Sequence, residues 1–208
     1  FELKIIKNHF RQGLPFLVIS LSAILLGYVD IYTLGFFVSD FDIGIYSVAL
    51  KISNFVLLPA SAIQVFYSNE IVKFLEKRDM STLKQTSLKI LKILFIIGLL
   101  IFLFLNLLSF NILSLFGDDF TSATNLLLFL SGAYFVALFL SPYEMILIMS
   151  KRKKIVSSIN ILTILFNLLF NLPLIYYYGI YGASIGTGLA LIINRFFYIF
   201  FVNRYIYK

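Results

Sequence analysis

The sequence predicts an all-α integral membrane protein: a single lobe of six transmembrane helices occupying residues 1–208, with both termini cytoplasmic. Three observations lead there. The chain is 61% hydrophobic and 13% charged, with a mean hydropathy of +0.97; a water-soluble domain carries about 25% charge. Six stretches are long and apolar enough to cross a hydrocarbon core of about 30 Å. The basic residues cluster between alternate stretches, as the positive-inside rule requires.

The stretches are Leu14–Val38, Ile43–Asn69, Ile90–Ile112, Ala123–Met149, Ile155–Ile175 and Tyr181–Val202. Lys4, Lys7 and Arg11 precede the first. Lys73, Lys77, Arg78, Lys84, Lys89 and Lys92 lie around the second connection, Lys151–Lys154 form the fourth, and Arg204 and Lys208 follow the last. The opposite loops hold Asp40, Asp42, Asp118 and Asp119 and no basic residue. The net charge of +7 therefore reads as topology and as contact with anionic membrane lipid, and no nucleic-acid partner is expected. The chain is placed in the cytoplasmic (inner) membrane as a multi-pass protein.

Residues 70–89 are the substantial polar segment. They are expected to carry the second helix into the cytoplasm, turn near Asp79–Ser81, and return as an amphipathic lead into the third helix. The third helix is apolar throughout Ile93–Leu105 and is assigned to the lipid-facing periphery. Pro59 and Pro142 lie inside spans and are expected to kink them. Tyr176–Tyr178 at one end, and Tyr205 and Tyr207 at the other, fit interfacial aromatic anchors.

Several chemistries are excluded within this chain. It has no Cys and a single His, His9, so thiol catalysis, a His-based metal site and a Ser-His-Asp triad are absent. No phosphate-binding G-x-x-x-x-G-K-[ST] motif occurs. No cofactor or metal is expected, and no enzymatic activity. A membrane-embedded enzyme would have Asp118-Asp119 as its acidic doublet, which without further ligands reads as a solvated turn.

Polar side chains recur at helical spacing: Ser20, Ala23, Gly27 and Asp30 in the first helix; Ser47, Lys51, Asn54 and Ser61 in the second; Asn160, Thr163, Asn167 and Asn171 in the fifth; Gly182, Gly186, Thr187, Asn194 and Arg195 in the sixth. Such stripes serve helix packing or line a hydrated cavity. Four charges lie within spans, where they are costly and face protein or water: Asp30, Lys51, Glu144 and Arg195. Asp30 and Lys51 each lie roughly 10–12 Å from the outer face, and Glu144 and Arg195 roughly 10 Å from the inner face. Two ion pairs are therefore open to form, Asp30–Lys51 across the short 39–42 loop and Glu144–Arg195, whose helices nothing in the sequence makes adjacent.

The run "YVDIYTLGFFVSDFDIGIYSVALKI", with Asp30, Gly44, Tyr46 and Lys51, resembles the start of the second half of bacterial polysaccharide flippases. These are the O-antigen and teichoic-acid type members of the multidrug/oligosaccharidyl-lipid/polysaccharide exporter superfamily. Phe116-Gly117 and Phe120, and the run "NLLFNLPLIYYYGIYGASIGTGLA" with Asn167, Asn171, Pro173, Gly179, Gly182 and Ala183, are similar to further family motifs. The resemblance spans about residues 15–202.

It implies export of a polyprenyl-pyrophosphate-linked oligosaccharide by alternating access, and an N-terminal six-helix half elsewhere in the same protein as partner. Lys51 and Arg195 would meet the phosphates, and Asn54, Asn160 and Asn167 the sugars. Asp30 and Glu144 are the ion-coupling candidates. Within the superfamily the rivals are a cationic-drug exporter and a lipid II flippase. A non-transporting scaffold subunit is the alternative of another class.

Overall fold

Hydrogen-bond satisfaction without water dictates the secondary structure, since a chain crossing lipid must pair its own backbone groups. The computed structural model describes residues 13–207 apart from 15, 16, 18, 22, 23 and 26, and no β-strand occurs among them. The first predicted span is thus described only in part, and Lys4, Lys7, His9, Arg11 and Lys208 lie outside the described residues. The continuous helical part of that span, α1, covers residues 27–34. It is followed by α2 (Asp40–Asn54), α3 (Leu58–Lys77), α4 (Met80–Leu107), α5 (Ser109–Ser114), α6 (Thr124–Phe139), α7 (Ser141–Met149) and α8 (Lys153–Tyr205). Among the described residues four helices are long and apolar enough to cross a membrane: Asp40–Lys77, Met80–Leu107, Asp118–Phe139 and Lys153–Tyr205.

The breaks within these rods have identifiable causes. A 3₁₀ turn over Phe55–Leu57 separates α2 from α3, with Pro59 in the first turn of α3. A second break at Leu140 separates α6 from α7, with Pro142 in the first turn of α7. Proline has no N–H to donate and its ring crowds the carbonyl four residues back, so each helix yields just before it. Beyond α3, Arg78 adopts the left-handed conformation at φ 55°. Its N–H donates to Leu75 O, and that of Asp79 to Phe74 O, closing the helix end. The Asp79 carboxylate then accepts from the Thr82 N–H at 3.0 Å and caps α4.

That cap makes a pH prediction. The Thr82 N–H, with its hydroxyl, holds the Asp79 carboxyl below its usual value of 3.8. A depressed folded-state pKa contributes stability above the unfolded value and loses it as pH falls through the folded one. Asp79→Ala is expected to lower the thermal midpoint at neutral pH. The difference from wild type should shrink in melts taken below pH 3.8.

Helix α8 has 53 residues, about 80 Å if straight. It is not straight. Gly179 has φ 55° and ψ −133°, and the chain reverses there into two arms, 153–178 and 180–205. Cross-arm bonds fix the antiparallel register: Asn167 Nδ2 to Thr187 Oγ1 at 3.1 Å, Asn194 Nδ2 to Thr163 Oγ1 at 2.8 Å, and Tyr198 Oη to Asn160 Oδ1 at 2.7 Å. The arms meet closely because glycines stand at the contact. A Cβ at Gly182 would collide with the Leu174 carbonyl, and one at Gly186 with the Asn171 side chain.

Helix α6 is central, with α2, α4 and α8 packed around it. Leu126, Leu127, Leu130 and Leu138 are fully buried there. Helix α4 is the least buried of the four long helices and the most apolar, as its sequence predicts for a lipid-facing position. It buries Leu83, Ser87, Ile90 and Leu94 on one stripe and leaves Phe95, Ile96, Leu100 and Phe104 exposed. At one end of the bundle the Ser39–Asp42 corner, the Asp118–Ala123 3₁₀ turn and the Gly179 reversal come together, the last through Phe37 against Tyr176 and Tyr181 Oη to Ser122 O. The opposite end gathers the basic connections, with the Arg152 guanidinium 4.8 Å above the Tyr205 ring.

Candidate functional site

Two polar centres are built between these helices, one in each half of the bundle. The first surrounds Asp30, which has no solvent exposure. Its Oδ2 accepts from Tyr46 Oη at 2.7 Å and from Thr187 Oγ1 at 2.5 Å, and its Oδ1 from Asn171 Nδ2 at 2.5 Å. Asn171 also donates to Asn167 Oδ1 at 3.0 Å, and Asn167 in turn to Thr187. Helices α1 and α2 and both arms of α8 thus converge on one carboxylate. All three groups that touch it donate, which is the arrangement an ionised carboxylate requires.

No basic side chain lies within ion-pair distance of Asp30 among the described residues. The Asp30–Lys51 pair that the sequence leaves open does not form. Equal depth fixes height along the bundle but not direction around a helix. Tyr46 and Lys51 are five residues apart, about 140° around α2. With Tyr46 turned inward onto Asp30, Lys51 points away, and it is exposed. A buried carboxylate without a fixed cation calls for a mobile one, a proton or a small monovalent ion. Asn171 turns its Nδ2 to the carboxylate, and its Oδ1, buried without a hydrogen-bond partner, lies against Gly186.

The second centre is the pair of Glu144 and Arg195. Arg195 Nη1 donates to Glu144 Oε2 at 2.6 Å, with the side chains 11% and 27% exposed respectively. Tyr198 Oη lies 3.3 Å from Glu144 Oε1 and 2.7 Å from Asn160 Oδ1. The pair lines a cavity of about 200 Å³ with Gln64, Ser141, Leu57 and Ala137. Leu57, in the first helix break, and Ser141, just after the second, both line it. Glu144→Gln is expected to weaken a charge-assisted bond and cost about 1.5 kcal/mol, read as a lower melting temperature in detergent; an unchanged melting temperature would show that the pair contributes nothing net.

The predicted substrate residues separate into two groups. Lys51 and Asn54 lie exposed on α2, one turn from the 3₁₀ break, beside the exposed Phe55 and Leu58. Asn160 and Asn167 are buried, with their amides engaged inside the bundle, and Arg195 is held by Glu144. Sequence reasoning left Tyr46, Asn171 and Thr187 out of the site. Asn171 carried the signal, since it stands four residues after Asn167 on the same polar stripe.

A helical bundle with four helices long and apolar enough to cross a membrane, and a buried carboxylate with no cation in ion-pair distance among the described residues, has the character of a multi-pass membrane protein. The MatE family model matches residues 15–173, and the chain belongs to that family of membrane transporters, in the multidrug/oligosaccharidyl-lipid/polysaccharide exporter superfamily. No curated protein and no solved structure matches it.

Proposed function

We propose that the chain is one lobe, the C-terminal half, of a flippase that moves a polyprenyl-pyrophosphate-linked oligosaccharide across the cytoplasmic membrane by alternating access. In this reading six spans cross the bilayer, with α8 supplying two, the basic end faces the cytoplasm, and a second six-helix lobe completes the path. The observation that carries it is Lys51, an ammonium exposed in the last turn of α2, before the 3₁₀ break that leads into α3. Lipid cannot solvate it, so water, a partner lobe or an anionic cargo must. A pyrophosphate supplies the complementary charge, and Asn54 one turn away offers hydrogen bonds to sugar. A cationic drug would be repelled at this position.

Energy enters through Asp30. The carboxylate and Lys51 occupy opposite sides of α2, and Tyr46 ties that helix to Asp30. Arrival or departure of an ion at Asp30 changes the Tyr46 bond and biases α2, which carries Lys51 on its other face. The two sites are thus coupled through a shared helix rather than by competition for each other. Rocking of one lobe against the other follows the behaviour of repeat-built transporters.

The test is export of lipid-linked glycan by the full-length protein carrying Lys51→Gln or Lys51→Arg. Export is expected to fall in the Gln variant and to persist in the Arg variant. Wild-type export by Lys51→Gln would overturn the reading.

A further inference from the structure

At the basic end of the bundle the two arms of α8 do not close fully. Between them lies a groove of about 320 Å³ lined by Lys154, Ile155, Ile159, Leu162, Phe197 and Phe201. Apart from Lys154 and Ser158 at its rim, its walls are entirely apolar. From Lys154 to Leu162 it runs about 12 Å along the arm, most of the depth of one bilayer leaflet, which is about 15 Å. Its inner end abuts the aromatic row in which Phe166 stacks on Phe197 with centroids 6.4 Å apart.

The mouth of the groove is cationic. Lys154 is exposed there. Phe201 stacks on Tyr205 at 5.8 Å, and Tyr205 carries the Arg152 guanidinium at 4.8 Å and that of Arg204 at 5.6 Å. No acidic residue occurs anywhere from 145 to 208. The nearest carboxylate in sequence, Glu144, is committed to Arg195 and faces the other cavity. An apolar slot most of a leaflet deep, opening beside Lys154 and the guanidinium groups of Arg152 and Arg204, has the chemistry of one ligand class.

We propose that this groove binds an anionic phospholipid, with one acyl chain between the arms of α8 and the phosphate against Lys154. The site is separate from the transport path through Lys51 and does not depend on the identity of the cargo. The zwitterionic phospholipids fit the slot equally well, but their own ammonium groups meet the Arg152, Lys154 and Arg204 cluster, so the charge at the mouth selects the anionic headgroup.

The experiment is native mass spectrometry of the full-length protein from micelles doped with equal amounts of phosphatidylglycerol and phosphatidylcholine. Wild type is expected to retain phosphatidylglycerol preferentially. Lys154→Gln should reduce that preference about fivefold, the weight of one basic residue near an anionic headgroup. Leu162→Trp, which fills the slot, should remove retention while leaving the melting temperature near wild type. Lys84→Gln removes a lysine from the same end but outside the groove, and should change nothing. Equal retention of the two lipids by wild type, or an equal loss in the Lys84 and Lys154 variants, would overturn the proposal in favour of nonspecific attraction to the basic surface.

Discussion

Asp30→Asn in the full-length transporter is expected to reduce glycan export to the background of cells lacking the protein, with normal amounts of folded protein in the membrane. The substitution keeps the shape of the side chain and removes its charge. The amide that replaces the carboxylate can keep its oxygen toward Asn171 Nδ2 and donate its N–H to Tyr46 and Thr187, whose hydroxyls rotate to accept, so the four-helix junction stays closed. What the proposed function loses is the exchangeable partner for a proton or small cation, the feature that would distinguish this junction from ordinary interhelical packing. Tyr46→Phe, which keeps the carboxylate and cuts its link to α2, is expected to give an intermediate export rate. If the Asp30→Asn variant exports at the wild-type rate, Asp30 is a packing group and the energy enters elsewhere.

The largest stability effect is expected at Gly182. A side chain there meets the Leu174 carbonyl, a backbone atom that no rotamer change can move aside. Gly182→Leu must separate the α8 arms, at about 3 kcal/mol or more of stability. The readout is the melting temperature in detergent and the yield of monodisperse protein. Gly186→Ala probes the same seam one turn along, with a different outcome. Its methyl meets the Asn171 side chain, which can move, and moving it disturbs the bond from Asn171 to Asp30. Export should therefore suffer more than the melting temperature. A Gly182→Leu protein as stable as wild type would mean that the arms do not touch at this point.

Features that depend on one residue and its immediate neighbours were legible in the sequence. The breaks before Pro59 and Pro142, the exposed α4 and a turn near Asp79–Ser81, which the structure has at Arg78–Asp79, follow from local chemistry, whereas matched depth left the contact between Glu144 and Arg195 open because nothing in the sequence made their helices adjacent. Direction around a helix was not legible. Asp30 and Lys51 share a depth, yet α2 presents Tyr46 to one and Lys51 to solvent. Tyr46 stood out only as a residue of the motif it shares with Asp30 and Lys51, and its hydroxyl counts only once a carboxylate is known to face it. Thr187 was visible on a polar stripe, but its partner is 157 residues away in the chain. No periodicity reports such a contact.

The reversal at Gly179 bears on how the chain enters the bilayer during synthesis. Asn160, Thr163, Asn167, Thr187, Asn194 and Tyr198 bond to one another across the α8 arms. One arm alone would present a column of amides and hydroxyls to lipid tails, each without its partner from the other arm and costly there. With no loop between them, the arms leave the translocation machinery almost together. They are expected to pair before partitioning sideways and to reach lipid as a hairpin whose polar seam is already sealed. Lengthening the turn by a flexible spacer would separate synthesis of the first arm from arrival of the second, and should expose that arm to membrane quality-control proteases.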